Sequence, residues 1–151
     1  MRLSTIMTEM VARVILLPTL VTALALLVKG YTSAGDGFSA GVVAGTVVAI
    51  QFIVFGPREP IARFPSPRHA PLLAFGGVLL ALAVAFAPLL WGDPVLTQYP
   101  RPGEPVVHIG ALAFHTALLF DVAVFLLVFG FIISVLGGIG SFERHSQGGE
   151  S

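Results

Sequence analysis

The chain contains no cysteine and no asparagine. The first absence excludes disulfides, Cys-based zinc sites, iron–sulfur clusters and S-palmitoyl anchors; the second excludes an N-glycosylation acceptor. Charge is scarce as well, at 11% of 151 residues, where an average soluble domain has about 25%. Eight Lys+Arg balance eight Asp+Glu, so there is no net positive field to draw nucleic acid. A soluble enzyme of this length needs a charged surface that this composition does not supply. What is present is apolar: 56% hydrophobic residues and a mean hydropathy of +0.93, which excludes a disordered chain. One lysine against seven arginines, beside abundant Ala, Gly, Val and Pro, fits a GC-rich prokaryotic genome.

Four apolar stretches are long enough to cross a bilayer, which takes about 20 residues of helix. They cover 10–28, 37–55, 71–91 and 111–136, and the last carries a single carboxylate, Asp121. The expected class is an all-α integral membrane protein of four transmembrane helices, with one membrane domain over 1–140 and a polar tail over 141–151. Breakers punctuate the links. GYTSAGD makes a short turn after Lys29, the link 56–70 holds four prolines and three arginines, and the link 92–110 holds four prolines. No internal repeat suggests an inverted-repeat transporter. Ten residues, Glu9 among them, precede the first apolar core and Lys29 closes it directly, so a retained helix is expected rather than a cleaved signal. Arginine counting sets the orientation: Arg2, Arg13, Arg58, Arg63, Arg68 and Arg144 share one side, against Lys29 and Arg101 on the other. Both termini are expected in the cytoplasm of a prokaryotic cell, with the chain multi-pass in its inner membrane.

Asp121 is the most informative residue. An Asp near a helix centre costs roughly +2.5 to +3.5 kcal/mol on insertion, while fifteen Leu, Ile, Val and Phe residues over 118–136 return roughly −5 to −9 kcal/mol. The helix inserts, but the acid is expected to face a protein interface or a hydrated cavity. It reads either as a proton or cation site or as a buried acid that ties neighbouring helices together. Ala113 and Ala117 precede it at i, i+4 spacing, a small strip against which a helix could pack. His115 would lie about 9 Å up the same helix, either as a proton relay or as an interfacial hydrogen-bonder. Lys29 and Asp36 flank one turn. They could pair across it in an ion path, or Lys29 could snorkel while Asp36 favours the positive start of the second helix.

The second span carries Gly37, Gly41, Gly45 and Ala49, a small-residue ridge that lets helix backbones approach closely. Gln51 is expected to hydrogen-bond between helices, and Pro18 to loosen the first helix. The basic link 56–70 either docks anionic lipid or a partner, or only sets topology. His69, His108 and His145 show no metal-ligand spacing, and no cofactor is expected. No nucleophile elbow, P-loop, dinucleotide fingerprint or HExxH motif is present, so the chain has no catalytic apparatus visible in its sequence.

Together these residues resemble a family. Gly30-Tyr31-Thr32-Ser33-Ala34-Gly35-Asp36-Gly37-Phe38, followed by Gly41, looks like the G-H-x-x-P-G-G-G-F-x-x-G signature of the MnhB/MrpB family, the B-type component of Mrp-type multisubunit Na⁺/H⁺ antiporters. Ser4, Ile6, Ala12-Arg13 and Pro18 fit the start, and Leu119-Phe120-Asp121 with Gly130 resembles the family's L-F-D run. The departures are Tyr31 for His, Ala34 for Pro, Asp36 for Gly, and Ala123 and Phe125 for the Gly and Tyr after L-F-D. The resemblance implies a four-helix accessory or coupling subunit that helps form or brace an ion pathway, not catalytic alone. Its partners would be A, C, D, E, F and G type membrane subunits and the bilayer, its transported ions Na⁺ and H⁺. The motif carries over to Gly35, Gly37, Phe38, Gly41 and Asp121. B-like subunits also occur in membrane-bound hydrogenases and other assemblies similar to complex I, where this chain would be structural and conduct no ion.

Overall fold

The computed structural model describes residues 2–29, 36–56, 69–100, 108–109, 112–113 and 115–148. Gly35, most of the glycine turn and the arginines of 57–68 lie outside them. Helix α1 (Arg2–Lys29) is followed by α2 (Asp36–Phe55) and α3 (Ala70–Phe86), which tightens into a 3₁₀ turn at Ala87–Trp91. A two-residue hairpin, β1 (His108–Ile109) against β2 (Leu112–Ala113), precedes α4 (Thr116–Gly148). Among the described residues four helical spans are long and apolar enough to cross a membrane: Ile6–Lys29, Asp36–Phe55, Ala70–Trp91 and Thr116–Ile139. Their 20 to 24 residues give about 30–36 Å at 1.5 Å per residue, matching a hydrocarbon core of about 30 Å.

Local chemistry sets the ends. Pro71 sits in the first turn of α3, where a missing N–H leaves no bond unmade. At the other end Gly92 takes φ +81°, a left-handed conformation open to a residue without Cβ. Its N–H reaches Leu89 O and the N–H of Asp93 reaches Pro88 O, both at 3.1 Å, so two terminal carbonyls of the 3₁₀ turn are satisfied. Helix α1 passes Pro18 without interruption, and Thr22 Oγ1 donates to Pro18 O at 2.9 Å.

The helices pack in a row, α1 on α2, α2 on α4, and α4 on α3. Gln51 of α2 meets Ala12 of α1, so that pair is antiparallel. Gly37, Gly41 and Gly45 meet Asp121, Val128 and Ile132 in the same order, so α2 and α4 are parallel although two links separate them in sequence. Gly77 meets Ala123 and Leu127 while Gly130 meets Ala70 and Ala74, which makes α3 and α4 antiparallel. The start of α1 and the end of α4 therefore share one end of the row. A small core of Val48, Ala70 and Ile133, with Phe52 and Phe129 packed against it, lies toward that end.

Two sequence expectations change. The fourth helix begins at Thr116 rather than near 111, because 112–113 pair with 108–109 as strands and the N–H of Thr116 bonds Tyr99 O at 3.0 Å. Ala113 is therefore a strand residue, and the Ala113/Ala117 strip does not exist as a helix face. At the other end α4 continues through Gly148, so the segment read as a polar tail starts as helix.

Candidate functional site

Asp121 lies in the second turn of α4, 2% exposed, in the middle of the helix row. Glycines make that position possible. A Cβ on Gly37 would stand 2.7 Å from the Asp121 Cα and closer still to its carbonyl oxygen, so α2 seats directly on the peptide that carries the carboxyl. One turn further in, a Cβ on Gly41 would meet Val128 Cβ at 2.9 Å, and Gly45 lies against Ile132. The flank toward α3 is equally close: a Cβ on Gly77 would fall 2.6 Å from Ala123 O. With backbone pressed on it from both sides, the α4 segment that bears Asp121 has little freedom to shift.

A cavity of about 170 Å³ adjoins Asp121 at the end of the row opposite the termini. It is lined by Val84 of α3, by Leu96, Thr97 and Gln98 of the loop, and by Thr116, Ala117, Phe120 and Asp121 of α4. Exposed Leu96 and Gln98 mark its mouth and buried Asp121 its inner end. The loop is fastened to its own chain. The N–H of Leu96 bonds Ala85 O at 3.0 Å, with Leu96 at φ 64°. Tyr99 accepts from the Thr116 N–H through its carbonyl and donates its own N–H to Thr116 Oγ1 at 2.9 Å. The Tyr99 hydroxyl donates to the Asp93 carboxylate. Thr116 thus serves two ends: it anchors the loop and starts α4, placing Asp121 one and a half turns below the mouth.

The other candidates fall elsewhere. His115 is half-buried just before α4, outside the helix, and its carbonyl accepts from Leu118 and Leu119 N–H at 3.1 and 3.4 Å. It is not a cavity wall residue. Lys29 is the exposed last residue of α1, beyond α2 from the cavity. Phe38 is exposed on α2, and Gly35 lies outside the described residues. Asp36 is half-buried in the first turn of α2, beside Gly37, with its Oδ2 shielded and accepting no hydrogen bond. Among the described residues no group of three or more His, Asp or Glu is placed to hold a metal ion. The sequence does not single out Val84, Thr97, Gln98 or Thr116, and it offers Tyr99 only as an interfacial ring. The available signal was local: a Tyr and two Thr around a proline-rich link whose backbone must find partners.

A family model described as a domain related to the MnhB subunit of Na⁺/H⁺ antiporter matches residues 7–134, which include the glycine ridge, the loop and Asp121. The chain belongs to the MnhB family. It is 29% identical over 124 residues to the B-type subunit of the Na⁺/H⁺ antiporter of Alkalihalophilus pseudofirmus, covering 82% of this chain and 84% of that protein. The putative antiporter subunit mnhB2 of Staphylococcus aureus strain Newman is 25% identical over 107 residues, covering 71% and 74%. In this MnhB chain the matched region contains every element of the Asp121 site described above.

Proposed function

We propose that the chain is the B-type subunit of a multisubunit Na⁺/H⁺ antiporter, and that Asp121 belongs to its ion pathway. It works beside other membrane subunits of the complex, in a prokaryotic cell membrane with both termini cytoplasmic, and carries out no catalysis of its own. The family supports the setting, and one observation supports the role: a carboxyl in the second turn of a helix long and apolar enough to cross a membrane, rather than near its centre as the sequence suggested, is buried by glycine-mediated packing yet lines a cavity. A scaffold acid needs only a neighbouring helix to bond to, whereas a group that exchanges protons or Na⁺ needs a route for them. His115, which immediately precedes Thr116 of the cavity lining, and Lys29, the last residue of α1, remain candidates for the same pathway.

Asp121→Asn keeps size and hydrogen-bonding capacity but cannot carry negative charge. In membranes containing the whole complex, Na⁺-dependent proton exchange is expected to collapse while the amount of assembled complex stays normal. Normal exchange in Asp121→Asn, with assembly lost only in Asp121→Leu, would leave the residue a structural tie and overturn the proposed role.

A further inference from the structure

The cavity has a design that packing alone does not require. Its volume of about 170 Å³ has room for several waters at about 30 Å³ each in the liquid. A wholly apolar void of such size stays dry, because a water inside needs two to four polar partners. Along α4 the lining runs from Thr116 at the helix start through Ala117 and Phe120 to buried Asp121, with Val84 opposite on α3 and Leu96, Thr97 and Gln98 of the loop at the outer end. The threonine hydroxyl protons are engaged, Thr97 Oγ1 donating to Pro94 O at 2.6 Å and Thr116 Oγ1 lying 3.4 Å from Tyr99 O. A hydroxyl oxygen that donates still has lone pairs to offer. One on Thr116 Oγ1 is taken by the Tyr99 N–H, which leaves the other lone pair there, those of Thr97 Oγ1 and the Gln98 amide oxygen as acceptors for a small cation. Among the described residues no Lys or Arg is in the lining. When Asp121 is ionised, low-dielectric walls focus its field along the cavity.

We infer that this cavity is a water-filled antechamber that draws small monovalent cations toward Asp121 from the end of the row opposite the termini. The inference rests on the proposed role of Asp121 for its purpose, but its test reads access rather than transport. The absence of cysteine makes single-cysteine labelling unambiguous on this chain. Ala117→Cys and Val84→Cys report from the two walls, and Leu79→Cys, 67% exposed on the membrane-spanning part of α3, reports the lipid-facing background. The assembled complex is reconstituted in vesicles opened by freeze–thaw, so that both faces are reached. It is then treated with the cationic 2-aminoethyl or the anionic 2-sulfonatoethyl methanethiosulfonate, and labelling is read as a mass shift on this chain.

Both wall cysteines are expected to react on the order of tenfold faster than Leu79→Cys with the cationic reagent. They should prefer it over the anionic one beyond the ratio for a free thiol, and lose that preference when combined with Asp121→Asn. Rates matching Leu79→Cys at both walls, or a charge preference unchanged by Asp121→Asn, would overturn the antechamber. Two wall positions on different helices keep the result readable if one variant fails to assemble. Labelling as expected together with normal exchange in Asp121→Asn would remove the transport role alone and leave the antechamber standing.

Discussion

The two flanks of α2 hold their neighbours by different means. Toward α4 it presents Gly37, Gly41 and Gly45, and contact is made at the level of the backbone. Toward α1 the contact is made by side chains: Gln51 Nε2, 3% exposed, donates to Ala12 O at 2.6 Å, and the Arg13 guanidinium lies 5.0 Å from the centre of the Phe55 ring. Burial follows place in the row rather than kind of contact: 39% of the α2 span is buried, 17% of the α4 span, and 11% of each outer span, α1 and α3. Hydrophobic attraction does not hold helices together in lipid, so close packing and hydrogen bonds must do so. The α2–α4–α3 side relies on packing and contains Asp121. The α1 side is packed through buried Ala12, Ala23 and Leu27, adds polar ties, and leaves most of its apolar surface to the membrane or to other subunits.

The contrast is most sharply tested within α3, where two adjacent glycines have opposite surroundings. A Cβ on Gly77 would stand 2.5 Å from Leu127 N, whereas one on Gly76 meets nothing within 4 Å. Gly77→Val should destabilise by about 1–3 kcal/mol or more through overpacking, and Gly76→Val should not; thermal melting of the detergent-solubilised complex compares them. Thr116→Val removes the acceptor of the Tyr99 N–H, a loss worth about 1–3 kcal/mol locally for a part-buried group. Its expected signature is faster hydrogen exchange over 93–100 with little change in global melting. Gln51→Leu is the mildest change, at about 0.6 kcal/mol for an average interhelical bond in a membrane. Faster exchange should be confined to α1, and charge-selective labelling at Ala117→Cys should not change. An equal effect at Gly76 and Gly77 would remove backbone packing as the basis of the α3–α4 contact, and a Gln51→Leu effect that reaches the cavity would erase the distinction between the two flanks of α2.

Helix number was legible because each span is a long apolar run bounded by breakers, and tertiary context has little power to redirect such a run in lipid. The start of α4 was not, because 111–114 are apolar enough for either helix or hairpin. The choice lies in backbone bonds to residues far back in the chain, such as Thr116 N–H to Tyr99 O. The i+4 glycines marked a face of α2 but not its neighbour. That the ridge lies on α4, across two links, depends on the parallel pairing of helices that do not follow each other in sequence. Asp121 stood out by its cost in hydrocarbon. Its cavity did not, since Ala117 reads as a packing residue until α4 is seen to begin one residue before it, with the loop fastened above.

The seat of Gly37 on the Asp121 peptide also has a mechanical consequence. Contacts between long side chains yield by rotamer changes, so a sliding movement of α1 is absorbed before it travels far. Between Gly37 and Asp121 there is no side chain to turn. With Gly77 of α3 pressed on the other side, a load on α2 is expected to move α2, the acid-bearing segment and α3 together, as one stiff block.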